Sequence, residues 1–340
     1  MRVLALAHQY VPAHCAGAET MLHSMLRALA ARGHEVDVTL SAQPGRPYEL
    51  DGVRVWPHVT SKDVFGHLPT ADVLVSHLMN TPRATFLGNW NDIPVVLIHH
   101  NTFDVTKAAL VTPQARVDLA VVNSQWMADD LTDWFAARGA QPPPTAIVRP
   151  LVDPADYATT PGDRVTLVNM RPMDVDARGN TMGKGAETFW AVAERMPKTR
   201  FLGVRGAYGT QMVRDLPNVE VLGHVPNHEM REQVFARTRV LLMPSSYESW
   251  GRVGTEALCS GIPVIAHPTP GLRESLGDAG IFVDRDDVDG WVRALRTLAL
   301  PQSYAAASAR ARARAQELAA LDDLDRWCDA VEAAAGRKAR

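Results

Sequence analysis

Two spacings of apolar residues alternate along the chain. RVLALA at 2–7 is a continuous apolar run of strand length, and ETMLHSMLRALAARG at 19–33 repeats apolar positions every three to four residues before closing on Gly33. EVDVTLS at 35–41 reads as the next strand. DVLVSH at 72–77, PVVLIHH at 94–100 and LAVVNS at 119–124 read as further buried strands, each followed by polar or small residues. The Pro-rich passage QPPPTAIVRPLVDPADYATTPGD at 141–163 then breaks the pattern and reads as a connection between domains. The alternation restarts with RVTLVNM at 164–170 and continues through TRFLGVRG, VEVLGH, VLLMPSS, PVIAHP and GIFVD, with helical patterns between. From about residue 303 the chain is Ala/Arg-rich and helical, ending in LDDLDRWCDAVEAAAG.

Strands that alternate with helices imply βαβ units and parallel sheets, so the predicted class is α/β with two Rossmann-like, doubly wound halves. The boundaries are 1–155 for the first domain, 156–320 for the second and 321–340 for a C-terminal helix. GAET occurs at 17–20 and again at 185–188, each time soon after a domain's first strand, a match that chance also produces. Ligands of such sheets bind beyond the C-terminal strand ends. The expected site is therefore an interdomain cleft.

Composition narrows the class of function. The 340 residues are 46% hydrophobic and 21% charged with a formal net charge of −3, so no global basic field recommends nucleic acid or an anionic membrane. Residues 1–155 carry 11 Lys/Arg against 14 Asp/Glu, and no basic, apolar patch is evident there. Cys15, Cys259 and Cys328 are odd in number and far apart, which argues against a disulfide framework or a structural zinc. The opening MRVLALAHQY breaks at His8 and Gln9, too early for a signal peptide, and no apolar run reaches about 18 residues. A cytoplasmic protein is expected.

The chemistry concentrates in YESWGRVGTE at 247–256. It joins the strand VLLMPSS to the helix that ends in ALCSG, so the helix starts near Arg252 or Val253. Free amides at that start, approached through Gly251 and Gly254, form an anion site suited to phosphate. Glu256, read as lying in the first helical turn, can accept paired hydrogen bonds from ribose hydroxyls, and Glu248 can hold a second sugar. Equally, Glu256 can simply favour a helix N-terminus and Glu248 can be a solvated loop acid.

The stretch ESWGRVGTEALCSGIPVIAHPTPGLRESLGDAGIFVDRDD at 248–287 resembles the donor-binding region of GT-B glycosyltransferases. The likeness is to the retaining, nucleotide-sugar-dependent, family 4-like group marked by Glu-x7-Glu, whose E-x-(F/W)-G-x4-E-A-x3-G-x-P-V, G-L-x-E and D-A-G are all matched here. VLALAHQYVPAHCAGAET, NSQWMADDL and RPLVDPADY extend the likeness over nearly the whole chain.

The resemblance implies two facing Rossmann-like domains: an N-terminal acceptor domain and a C-terminal donor domain, with the last helix returning to the first. It implies a sugar moved from a nucleotide-diphosphate donor to an acceptor hydroxyl with retention. Lys184 and Arg171 would neutralise the diphosphate together with Gly251, Arg252 and Val253, and the loop Gly17-Ala18-Glu19 would approach the phosphates or the acceptor. Glu248 would position the sugar, Glu256 and the Val225 loop the nucleoside, and His99 the reacting face. His8, Glu19, His77, His100 and Asn101 would line the acceptor pocket. The sequence departs from the family where DVDARGNTMG intervenes between Arg171 and Lys184; either the loop is an insertion or Arg178 is the partner. No cofactor or divalent metal is expected, because helix amides and cations neutralise the leaving group.

Competing patterns are weaker. His8, His77 and His99 each end a predicted strand and can in principle meet as a metal set, although no clustered spacing supports it. His224 and His228 bracket Pro226, and Asp174-Val175-Asp176 reads as solvated loop acids. Arg310, Arg312 and Arg314 read as a solvated helix. A nucleotide-sugar epimerase or hydrolase, and a binder without turnover, are the alternative functions. A soluble sugar, small molecule or polymer is the expected acceptor rather than a lipid, and nothing supports nucleic acid.

Overall fold

A computed structural model describes residues 1–57, 64, 66–110, 116–175 and 181–336. The chain divides into two compact units, Met1–Leu151 with Asp322–Arg340, and Val152–Leu321.

In the first unit the apolar runs become β1 (Arg2–Ala7), β2 (Glu35–Leu40), β3 (Tyr48–Leu50), β4 (Val53–Trp56), β5 (Val73–His77), β6 (Val95–His99), β7 (Leu119–Val122) and β8 (Thr145–Ile147). They form one sheet in the order β3-β4-β2-β1-β5-β6-β7-β8. Every pairing is parallel except β3–β4. That hairpin turns at Asp51-Gly52, both at positive φ, a left-handed conformation that matches the right-handed twist of the flanking strands. Alternate side chains of β1 pack into two cores: Val3 and Ala5 on one face, Leu4 and Leu6 on the other. The terminal helix Asp323–Ala335 covers the first face, with Trp327 fully buried and its indole donating to the Met25 carbonyl at 2.8 Å.

The second unit holds β9 (Arg164–Val168), β10 (Asp174–Val175), β11 (Thr181–Met182), β12 (Phe201–Val204), β13 (Val219–Leu222), β14 (Thr238–Met243), β15 (Val264–Ala266) and β16 (Gly280–Phe282). Its main sheet is parallel in the order β13-β12-β9-β14-β15-β16, and β10–β11 is a separate antiparallel hairpin. Trp190 and Trp291 are fully buried in the core on one face of this sheet. Each contributes roughly 4–6 kcal/mol as an upper figure, from the apolar area that an indole removes from water.

Both sheets reverse direction once. The reversal falls between β1 and β5 in the first unit and between β9 and β14 in the second. At such points the loops leaving neighbouring strands part and open a crevice. His8 and His77 follow or end the strands at the first reversal; the loops carrying Arg171 and Glu248 leave the second.

Three expectations need correction. The Pro-rich passage is not all linker, because Thr145–Ile147 within it forms the edge strand β8. Nor are Arg310, Arg312 and Arg314 all solvated. Arg312 donates to the Ser260 carbonyl and Arg314 to those of Ser275 and Glu274, placing cations at the C-terminal ends of the helices Arg252–Cys259 and Pro270–Leu276. Finally, the first unit does expose apolar side chains: Met79, Phe86 and Trp90 are 79%, 63% and 77% exposed, and the last two rings stack. Among the described residues, no helix is long and apolar enough to cross a membrane.

Candidate active site

β14 runs out at Met243, and the helix Arg252–Cys259 begins after eight intervening residues, with Gly251 as its cap. Gly251 sits at φ +83°, a left-handed conformation that turns the chain into the helix and leaves the amides of Arg252 and Val253 at its start. The glycines are also required by packing. A Cβ on Gly251 would lie 2.4 Å from Leu272 Cδ2, and one on Gly254 would lie 2.8 Å from Met243 Sδ. Both face the core, so their smallness lets the helix settle onto β14 and the Pro270–Leu276 helix.

A second segment locks onto this turn. Gly183 and Ser246 exchange hydrogen bonds: the Gly183 amide donates to Ser246 Oγ and the Ser246 amide to the Gly183 carbonyl, each at 3.0 Å. Gly185, at φ +78°, caps the helix Ala186–Arg195 and lies against Pro244, where a Cβ would sit 2.4 Å from the ring. Between the two glycines Lys184 projects to Glu248, Nζ to Oε1 2.5 Å, and Ser245 Oγ donates to the same oxygen at 2.9 Å. The Glu248 side chain is 14% exposed and that of Lys184 32%. The loop is backed by Gly271, whose Cβ would lie 2.2 Å from the Glu248 carbonyl oxygen.

The residues intervening before Lys184 contain the hairpin β10–β11, which brings the chain back on itself. The Lys184 amide donates to the Arg171 carbonyl at 3.1 Å, so the two are backbone neighbours despite the inserted residues. The Arg171 guanidinium pairs with Asp174 at 3.0 Å. Arg171, Pro172, Met173, Asp174, Gly209 and Thr210 line a cavity of about 360 Å³. Arg178 and Asp176 lie outside the described residues. Asp174 is exposed, and among the described residues no three His, Cys, Asp or Glu side chains group as a metal set.

Glu256 differs from its sequence reading. It is the fifth helical residue rather than a first-turn acid, and it is buried. Arg252 Nε lies 2.9 Å from its Oε1, and the Arg252 side chain turns inward rather than outward from the helix start. Arg252 also donates to the Tyr157 hydroxyl at 3.0 Å, as does Asn227 Nδ2 at 2.7 Å. Burial pushes the Glu256 carboxyl above its usual range, while Arg252 and Tyr157 oppose that rise. Val225 is 7% exposed and belongs to the hydrophobic core, so its side chain faces the interior of the unit.

In the first unit the three strand-end histidines do not assemble. His8 is exposed and pairs with Ser41, whereas His77 Nδ1 lies 3.0 Å from His100 Nε2. His99 is 3% exposed, and its Nε2 has no hydrogen-bond partner. Burial pulls both His77 and His99 down to about 4, with the Lys107 charge adding to the effect on His99. Burial and the neighbouring imidazoles likewise lower His100. Asn101 Oδ1 accepts from the Phe103 amide and the Thr106 hydroxyl, which fixes a local turn. Gly17-Ala18-Glu19 is not a loop but the first turn of the helix Gly17–Ala31. Glu19 is 9% exposed with an unpartnered Oε2, and burial raises its carboxyl.

Residues 16–155 match the family described as Glycosyltransferase Family 4, and residues 184–300 match that described as Glycosyl transferases group 1. Together these two matches cover most of the chain, and both describe glycosyltransferases. A D-inositol 3-phosphate glycosyltransferase of Xylanimonas cellulosilytica is 28% identical over 88% of this chain and 87% of its own length. A glycogen synthase of Mycobacterium tuberculosis is 25% identical over 94% and 90% respectively. In structure, the transferase is similar to HepE from Anabaena in complex with UDP-glucose, with TM-score 0.72, 17% identity and coverage of 98% and 100%. It is also similar to the sucrose-phosphate synthase of Thermosynechococcus elongatus, with TM-score 0.68, 17% identity and coverage of 100% and 98%. The fold is GT-B, and the protein is a glycosyltransferase.

The transferase thus brings Lys184 to Glu248 and Arg252 to Glu256, and places Arg171 beside Lys184 in the backbone. Sequence reasoning missed Ser245, Ser246, Tyr157, Asn227 and Gly271. Tyr157 lay inside the family-like RPLVDPADY, but nothing in that string shows that its hydroxyl meets Arg252, 95 positions away.

Proposed function

We propose that this glycosyltransferase takes a nucleotide-diphosphate sugar and transfers the sugar with retention to a hydroxyl of a soluble sugar, small molecule or polymer in the cytoplasm. The observation that carries the donor half is the Lys184–Glu248 pair beside the Gly251-capped helix start. A cation, two helical amides and a carboxylate within one turn supply what a diphosphate and its attached hexose need. The phosphates take the Lys184 ammonium and the amides of Arg252 and Val253, and Glu248 accepts from sugar hydroxyls. Arg171 adds positive charge next to Lys184, and Glu256 accepts from the ribose.

These groups stabilise the departing diphosphate without a resident metal. In the retaining reading the leaving phosphate itself takes the acceptor proton, and the buried, neutral His99 supplies its unpartnered Nε2 to the reacting sugar. The D-inositol 3-phosphate glycosyltransferases and glycogen synthases among the relatives support hydroxyl-rich, soluble acceptors.

Thermal shift against UDP, GDP, ADP and their common sugars tests the reading, with Glu256→Ala in parallel. A rise in Tm with one nucleotide family that is lost in the variant is expected. No shift with any of them overturns the donor assignment.

A further inference from the structure

Glu256 presents a physical conflict. A carboxyl buried to this degree favours its neutral form, yet a ribose diol is gripped best by a carboxylate, which has only acceptors to offer two hydroxyl donors. The surrounding side chains resolve it. Arg252, one turn earlier on the same helix, brings its guanidinium to 2.9 Å from Oε1. Tyr157, 4% exposed at the end of the helix Pro154–Tyr157, accepts from the same guanidinium at 3.0 Å and stands close enough to favour the ionised carboxyl.

The Tyr157 hydroxyl is left as a donor. Its oxygen already accepts from Asn227 Nδ2 at 2.7 Å and from Arg252 Nη2 at 3.0 Å. A phenol oxygen has two lone pairs, so with both occupied its own O–H is left to donate, and the neighbouring Glu256 carboxyl is an acceptor for it. Burial pushes the hydroxyl up to about 12, so it keeps that proton at neutral pH.

We propose that Tyr157 and Arg252 are positioning residues that hold Glu256 as an oriented carboxylate for the donor's ribose, with Asn227 fixing the direction of the Tyr157 proton. The inference rests on the reading of Glu256 as the ribose acceptor given above. It also assigns Asn227 a means of linking the loop after β13 to the donor grip. The charged and titratable groups facing Glu256 are Arg252, Tyr157 and the Cys259 thiol, with Asp153 and Asp156 next to Cys259.

The test is the pH dependence of binding of UDP, GDP and ADP to the full chain between pH 5.5 and 8.5, measured by calorimetry. Tyr157→Phe keeps the ring that packs edge-on against Phe235 at 6.1 Å and removes only the hydroxyl. It is expected to weaken binding about tenfold at pH 6 and less at pH 8, shifting the profile toward higher pH, since a hydrogen bond to a charged group has been lost. Asn227→Ala moves the profile the same way by a smaller amount. Arg252→Lys, which keeps the cation, restores most of the affinity that Arg252→Met loses. Glu256→Gln flattens the profile.

If Glu256→Gln weakens binding while Tyr157→Phe matches the wild type at every pH, the positioning role is overturned and the donor reading stands. A uniform loss across pH in Tyr157→Phe reduces the residue to packing and also overturns the role. If Glu256→Gln binds like the wild type, or no nucleotide binds the wild type, the donor reading fails and takes the inference with it.

Discussion

Lys184 and Glu248 stand 64 positions apart in the sequence and 2.5 Å apart in the fold. The pair stands beyond the sheet's reversal between β9 and β14, where one partner follows the β10–β11 strand pair and the other follows β14. Each partly buried charge offsets the desolvation of the other. In the proposed reaction an incoming diphosphate gives Lys184 a second anionic partner.

Lys184→Met keeps the aliphatic stem and removes the charge. Nucleoside diphosphate affinity is expected to fall about tenfold and turnover by about 10²–10³-fold, because a charge-assisted contact to the leaving group is lost. Calorimetry with UDP, GDP and ADP and a donor-hydrolysis assay read the two effects. Unchanged values in both would remove Lys184 from the site.

Gly271→Ala places a methyl group 2.2 Å from the Glu248 carbonyl oxygen, a backbone atom that can move only with its loop. The loop shifts, and Glu248 leaves Lys184. Turnover should drop on the order of 10²-fold, the usual effect of misplacing a catalytic group by about an ångström. A variant with the activity of the wild type would show that the loop position does not matter.

His77 and His99 are held neutral, with pKa values of about 4 in the folded chain. Unfolded imidazoles titrate near about 6.5, so between those values the unfolded state binds more protons and stability falls as pH falls. The contribution is fully present above about pH 6.5, and near pH 5 each histidine should cost about 2 kcal/mol. Urea unfolding at pH 7.5 and 5.0 measures it, and His77→Gln should flatten the slope. Equal stability at both pH values would contradict the buried, neutral state.

Arg314→Ala removes donors to the carbonyls of Ser275 and Glu274 at 3.1 and 2.8 Å. About 1–2 kcal/mol of stability should be lost, the range for charged hydrogen bonds at a helix end. Arg310→Ala, on an exposed position of the same helix, should stay within about 0.5 kcal/mol. Denaturant midpoints for the two variants should therefore differ clearly, and matching midpoints would return Arg314 to the solvated class.

The fold class was legible because parallel strands buried on both faces read as unbroken apolar runs; RVLALA and VLLMPSS need no tertiary information to be seen. The β3–β4 hairpin was not read from the sequence, because its flanking strands are three and four residues long and fall below the length that spacing detects, although Asp51-Gly52 marks its turn. β8 was hidden among prolines.

Sequence by itself determined the strand-and-helix alternation, the glycine-bounded turn before Arg252 and the residue types available there. Local spacing dictates those features, since backbone preference and apolar period act within a few residues. Only the tertiary structure decided that Lys184 pairs with Glu248, that Gly251 and Gly254 serve packing, that Arg252 turns inward to Glu256 and that the inserted residues return Lys184 to Arg171. Each of those depends on segments tens of residues apart meeting at a sheet reversal. A side chain's partner, burial and charge state follow from what the opposing segment presents, and the local sequence does not encode that.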